Sequence, residues 1–295
     1  MQKNKQGKII MQVQFNQWQS INLQDFSNSF QDISDSVKNT DNTLTSLASQ
    51  SINFYDGSNS TGYGWWGSYD IFVRGSNFLG SSPRATYVRL TSDFTSEKYE
   101  LNGSINISNT VWGYGINGGT FSTLTHTNSS DIKDYVITGS FTYSIWGTIS
   151  GATITSVEIN QANGKLVLKG SISLDTNEAV TGGTITSISY TAPDGKNFSI
   201  SNALINVTDL QAVLQGAGSS TDFSTLSSFL LSSTNLTGND TITGDLEDNI
   251  LDGGAGVDKL IGGNGDDTYI VDLVRTGTTA ANYKVALQDT ITETA

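Results

Sequence analysis

Aspartates set among glycines are the residues of this chain with the plainest chemical capacity. Residues 235–270 divide without a gap into NLTGNDTIT, GDLEDNILD, GGAGVDKLI and GGNGDDTYI. The sixth place of these units holds Asp240, Asn249, Asp258 and Asp267. The fourth holds Gly238, Glu247, Gly256 and Gly265, and the eighth holds Ile242, Leu251, Leu260 and Tyr269. Glycine adopts backbone angles closed to other residues, so six residues can turn sharply and direct several carbonyl oxygens inward. The aspartate adds an anionic oxygen. Hard oxygen donors around a wide site suit Ca2+ rather than zinc or copper. The last three residues of each unit predict a very short strand whose central apolar residue faces a core. Two units complete one coil, so alternate units lie on the same side. Apposed carboxylates repel one another, and a cation between turns reverses that, which links folding to metal.

This tail resembles the RTX, or haemolysin-type calcium-binding, repeat family, whose consensus is G-G-x-G-x-D-x-U-x. Units three and four match it at every fixed position, with Tyr269 as the large apolar residue. Unit one has Asn235 and Leu236 where two glycines belong. Unit two has Glu247 for glycine and Asn249 for aspartate, which implies a weaker or differently shaped site. The resemblance implies a parallel β-roll with Ca2+ between successive coils. Units one and three would then supply Asp240, Asp258 and the carbonyls of Gly253, Gly254, Ala255 and Gly256. Units two and four would supply Asn249, Asp267 and the carbonyls of Gly262, Gly263, Asn264 and Gly265. It further implies a secreted, extracellular or cell-surface protein of a Gram-negative bacterium. Type I secretion machinery would export it by an uncleaved C-terminal signal, and the roll would fold only in the calcium outside.

The rest of the composition bounds the alternatives. The chain has 295 residues, no cysteine, 2 prolines, 31 glycines and a formal net charge of −13. Stability must come from a core, from metal or from assembly, not from disulfides. So acidic a chain is a poor ligand for nucleic acid, which requires clustered Lys and Arg. The N-terminus has no apolar run of the signal-peptide kind, and no stretch is long and apolar enough for a transmembrane helix.

The elements that would carry a site follow from periodicity. Leu23, Phe26, Phe30, Ile33 and Val37 lie at helical steps and predict an amphipathic helix with one buried face. From about residue 52 the period changes to two. Tyr99, Leu101, Ile105 and Ile107 alternate with polar residues, as do Phe141, Tyr143 and Ile145, and Leu166, Leu168, Ile172 and Leu174. Each of these strands, read as consecutive antiparallel pairs, has Gly-Ser at its middle (Gly103, Gly139, Gly170), which marks a bulge or a close backbone approach. Helical spacing returns in two short helices near 208–232, with Thr208 as an N-cap. The expected fold is mainly β, a β-rich α+β arrangement: an antiparallel sheet domain with a few helices, followed by a short C-terminal parallel β-roll. The expected domains are 1–234, the calcium-binding roll at 235–270, and a cap or the start of a secretion-signal region at 271–295.

For residues 1–234 the enzyme classes thin out quickly. His126 is the only histidine, so H-E-x-x-H zinc chemistry is excluded. No G-x-S-x-G is present for a nucleophile elbow. Asp70, Glu100, Asp131 and Glu158 leave a carboxylate glycosidase open, but nothing pairs them. The stretch GYGWWGSYDIF places Trp65 and Trp66 as candidates for stacking on sugar. The order of helix, glycine-aromatic loop, paired strands and FSISNALINVTDLQAVL resembles the bacterial hemophore family. In that resemblance FTYSIW would supply a haem-ligating tyrosine, Tyr143. That family also draws a histidine from the loop after its first helix, and residues 39–62 contain none. His126, in LTHTNSS, is expected in a solvated turn. The reading that joins these features is a secreted, non-enzymatic calcium-binding protein with an adhesion, surface-layer or matrix role, partnered by cell-surface glycans or by itself. Haem binding and carbohydrate binding or cleavage stand as alternatives.

Overall fold

A computed structural model describes residues 12–16, 22–48, 52–77, 83–110, 113–144, 149–217, 226, 229–230, 239–244, 248–276 and 284–293. In chain order the elements are β1 (Gln12–Asn16), α1 (Leu23–Ala48), β2 (Asn53–Gly57), β3 (Thr61–Trp66), β4 (Tyr69–Ser76), β5 (Arg84–Ser92), β6 (Lys98–Thr110), β7 (Gly113–Thr127), β8 (Lys133–Tyr143) and β9 (Ile149–Gln161). Then come β10 (Gly164–Leu174), β11 (Val180–Thr191), β12 (Asn197–Asn206), α2 (Val207–Ala217), β13 (Thr241–Thr243), β14 (Ile250–Asp252), β15 (Lys259–Ile261), β16 (Thr268–Ile270), β17 (Leu273–Thr276), β18 (Lys284–Leu287) and β19 (Thr290–Thr292). The fold is mainly β, with antiparallel sheet, two helices and short parallel strands near the C-terminus, as the periodicities predict. No helix among the described residues is long and apolar enough to cross a membrane. The chain divides into two compact units. One comprises Met1–Asn28, Ala162–Lys169 and Thr184–Ala295, the other Ser29–Gln161 and Gly170–Gly183.

In the second unit β2 to β9 follow one another in sequence order, each antiparallel to the next. Alternation decides which side of each strand is buried. Ile71 and Val73 of β4, Val88 and Leu90 of β5, Tyr99 and Leu101 of β6, and Ile137 and Phe141 of β8 all lie inside. The stripe of α1 is buried there through Phe30, Ile33 and Val37, and Leu44 and Leu47 carry it beyond the expected stretch. Polar contacts help to fix the helix, among them Thr40 Oγ1 and Tyr135 OH, 2.8 Å apart, and Asp41 Oδ1, which accepts the Ile149 N–H at 2.6 Å.

The mid-strand glycines lie at breaks in register, between Asn102 and Gly103 and between Thr138 and Gly139. They allow backbones to approach where a side chain would not fit. Gly119, on β7, adds a φ of 138°, and a Cβ there would overlap the Ser104 carbonyl and meet Ile105 Cα at 3.0 Å.

In the first unit the strand order is β19-β15-β13-β1-β12-β11. The β1–β12 and β12–β11 pairs are antiparallel, whereas β1–β13, β13–β15 and β15–β19 are parallel. Phe26 packs edge-on against Tyr190 at 5.1 Å and against Phe198 at 5.6 Å. Asn206, not Thr208, caps α2: its Oδ1 accepts the N–H groups of Thr208 and Asp209 at 2.8 and 3.3 Å. Asparagine immediately before the helix is better placed to reach these orphan donors than threonine inside it. The second expected helix lies mostly outside the described residues, of which Leu226 and Leu230 are buried.

Gly119→Ala is expected to destabilise the folded chain by about 1–3 kcal/mol, the usual cost of a side chain forced into a glycine-only conformation. Thermal denaturation monitored by near-UV circular dichroism reads it. An unchanged midpoint would show that the strand relaxes around the new methyl group.

Candidate metal centre

The three-residue strands β13, β14, β15 and β16 occupy the last three places of the four nonapeptides. Their central residues, Ile242, Leu251 and Leu260, are wholly buried, while Tyr269 is half-buried. Units one and three stack through β13 and β15, with Ile242 opposite Leu260. Units two and four stack through β14 and β16, with Leu251 opposite Tyr269. Alternate units therefore face each other, as the length of a coil requires.

Carboxylates tie successive coils together. Asp258 Oδ1 accepts the Asp240 N–H at 2.7 Å, and Asp267 Oδ1 accepts the Asn249 N–H at 2.8 Å. In return the Asp240 carbonyl accepts from Lys259 N at 2.9 Å and the Asn249 carbonyl from Thr268 N at 2.8 Å. Neighbouring places repeat the pattern: Asn239 Oδ1 accepts from Val257 N, and Asp248 Oδ1 from Asp266 N. Asp240, Asn249 and Asp258 are buried, and Asp267 is half-buried.

Each of the two acceptor carboxylates keeps one oxygen in reserve. Asp258 Oδ2 and Asp267 Oδ2 are buried and have no hydrogen-bond partner. Each faces the first glycine of its own turn. A Cβ on Gly253 would lie 2.6 Å from Asp258 Cβ and overlap that carboxylate. A Cβ on Gly262 would overlap Asp267 Oδ2 and lie 2.8 Å from Glu293 Oε2. The second and fourth places account for the turn: Gly254, Gly263 and Gly265 have φ of 70°, 100° and 117°. A buried, unpartnered carboxylate oxygen against a glycine turn, whose main-chain carbonyls are further hard oxygen donors, suits a hard divalent cation. Among the described residues no three His, Cys, Asp or Glu side chains are placed to hold a metal ion together. A site built of one carboxylate and main-chain carbonyls needs no such cluster.

Residues 235–269 match the family model of the RTX calcium-binding nonapeptide repeat, in four copies. These repeats bind Ca2+. No curated protein and no solved structure matches the chain.

One member of the column escapes the nonapeptide frame. Strand β19 lies parallel to β15, with Ile291 opposite Leu260. Asp289, buried just before it, accepts the Asp258 N–H through Oδ1 at 2.9 Å and the Asp272 N–H through Oδ2 at 2.8 Å. Both its oxygens serve the backbone, so it ends the column. The signal was in the chain, since Asp289-Thr290-Ile291-Thr292 repeats Asp240-Thr241-Ile242-Thr243. No glycine turn precedes it, which hid it from the consensus.

The upstream candidates fare differently. Trp65 is 50% exposed but Trp66 only 1%. Neighbours on a strand point to opposite faces, so Trp66 is a core residue and offers no ring to a sugar. Tyr143 is 3% exposed, its ring 5.3 Å from Phe121 and its buried hydroxyl without a hydrogen-bond partner. That enclosure presents no open phenol oxygen to haem. Trp112 and Trp146 lie outside the described residues. His126 is not in a solvated turn. It lies on β7, in register with Tyr99 of β6 and Tyr135 of β8, its ring 4.7 and 5.3 Å from theirs. Its Nδ1 is 3.0 Å from Asp134 Oδ2. The inward parity of Leu124 carries to His126, and the polar run starts only afterwards.

Burial, reinforced by the charges of Asp240, Asp289 and Asp272, pushes the Asp258 carboxyl from its ordinary 3.8 up to about 7, although the Asp240 N–H opposes this. The folded, metal-free tail thus holds a proton that the unfolded chain releases. Its stabilisation is complete below pH 3.8 and is lost as pH rises through about 7. In chelator, amide protection of residues 248–270 is expected to increase from about pH 8 to about pH 5, and Asp258→Asn is expected to flatten that change. Protection that instead falls on acidification in the parent would contradict this electrostatic account.

Proposed function

We propose that this is a secreted RTX-type protein whose C-terminal roll folds when it meets calcium outside the cell, after type I export. Its upstream strands serve a non-enzymatic adhesion, surface-layer or matrix role. The observation that carries the reading is the buried, unpartnered Asp258 Oδ2 above its own glycine turn, with the same arrangement at Asp267. Asp258, Asp240 and the carbonyls of residues 253–256 would hold one ion. Asp267, Asn249 and the carbonyls of residues 262–265 would hold another. When bound, Ca2+ supplies positive charge to a column of like charges. The chain's own part is to hold the carboxylates in register through the N–H contacts of Asp240 and Asn249, and to keep water from them with Ile242, Leu251 and Leu260.

The non-enzymatic part finds support in His126, whose ring lies between Tyr99 and Tyr135 and whose Nδ1 is held by Asp134. The folding part finds support in the small apolar column of the tail. Three buried aliphatic side chains are too few to offset the entropy of ordering some thirty residues at about 1–2 kcal/mol each.

Calorimetry is expected to give Ca2+ affinity on the order of 10⁻⁴ to 10⁻³ M, as for extracellular modules. The Asp240→Ala, Asp258→Ala double variant should lose at least tenfold, and Asn249→Ala less. Unchanged binding in the double variant would remove these ligands. Hydrogen exchange in EDTA at about pH 8, where Asp258 is charged, should find the tail amides at unfolded rates while β6, β8 and β10 stay protected. Equal protection of tail and strands would end the proposal of a calcium-triggered fold.

A further inference from the structure

Three of the four arginines in this acidic chain, Arg74, Arg84 and Arg89, lie together on β4 and β5. Register puts Arg74 and Arg89 among aromatic rings on the outward side of the strands, while Arg84, between Ser76 and Asn106, donates to Asn106 Oδ1 at 3.1 Å. One row across β3 to β6 reads Tyr63, Phe72, Arg89, Glu100. The next reads Thr61, Arg74, Tyr87, Asn102, and on the other side Trp65 lies opposite Asp70. Inward neighbours Trp66, Ile71, Val73, Val88 and Leu90 are buried, so the outward residues form one face.

The rings on this face are contiguous and open. Tyr63 is 41% exposed and Trp65 50%. Ring centroids are 4.7 Å apart for Tyr63 and Phe72 and 6.0 Å for Phe72 and Tyr87. The guanidinium of Arg89 lies over Phe72 at 5.4 Å and that of Arg74 over Tyr87 at 5.3 Å. A guanidinium held over a ring by cation–π attraction keeps N–H donors for a carboxylate, and the contact limits the entropy lost on binding. Glu100 is engaged by the Tyr87 hydroxyl, which donates to it.

We propose that this face binds an acidic polysaccharide of the uronic-acid class, its sugar rings on Tyr63 and Trp65 and its carboxylates on Arg74, Arg84 and Arg89. Charge selects the ligand. A chain of net charge −13 repels polyanions elsewhere, so the clustered arginines decide where and in what orientation one docks. The open rings decide between polyanions, because an acidic peptide would satisfy the arginines without needing flat apolar surfaces beside them. The proposal gives the surface role stated above a ligand and rests on that role, but not on the calcium sites.

The test titrates the full chain, in calcium, with hyaluronan oligosaccharide, neutral chitin oligosaccharide and poly-L-glutamate. Hyaluronan should bind at least tenfold more tightly than either comparator. Trp65→Ala and the Arg74→Ala, Arg89→Ala pair should each weaken it at least tenfold, and Trp65→Tyr much less. Thermal midpoints and the calcium-induced circular dichroism change identify any variant that misfolds, and read the tail independently of the face. Failure of hyaluronan to bind overturns the proposal. So does equal binding by Trp65→Ala, equal affinity for polyglutamate, or equal affinity for the neutral sugar.

Discussion

A carboxylate oxygen that accepts a backbone N–H from the preceding coil is the contact on which the tail depends. Asp258 does this for Asp240, Asp267 for Asn249, and Asp289 for Asp258. Such bonds are charge-assisted and pin one coil over the next. They also gather anionic side chains in buried places, where charge is costly unless compensated. The same interaction therefore sets the register of the stack and gathers its negative charge. At Asp258 and Asp267 one oxygen is bound by the chain and the other has no hydrogen-bond partner. At Asp289 both belong to the chain.

The upstream strands solve a different problem with the same few residue types. Alternation gives β3 to β6 one buried face of aliphatic and aromatic side chains and one outward face. Glycines mark the breaks in register that bend long strands, as at Gly103 and Gly139. The core of these strands is apolar and extensive. One part of the chain is thus built on apolar burial, the other on carboxylates bound to backbone N–H groups.

Legibility followed the range of the interactions. The nonapeptide frame could be read residue by residue, down to which units stack, because glycine turns and three-residue strands are local and their period is short. The apolar stripe of α1 was visible for the same reason, although Leu44 and Leu47 extend it. Strand parity was harder to read. Whether Trp65 or Trp66 points outward depends on register with β2 and β4, which one segment does not contain. His126 was misplaced because the polar run after it outweighed the alternation from Leu124. Asp289 was missed because its partners, Asp258 and Asp272, are distant in sequence and it lacks the glycines of a turn. The exposed rings and arginines of β3 to β5 come from three separate segments and meet only through pairing.

Strand β1 is bound on one side by β12 and on the other, in parallel, by β13. The coils that follow β13 thereby cover a row of main-chain donors and acceptors that would otherwise be open. An uncovered strand edge is a template for any other extended chain, including another copy of the same molecule. On the proposed reading calcium, by ordering the coils, would keep that template shut. Where calcium is scarce, the molecule would then lose more than a small appendage. It would acquire a sticky border, and its solubility would become a matter of how quickly the coils close over it.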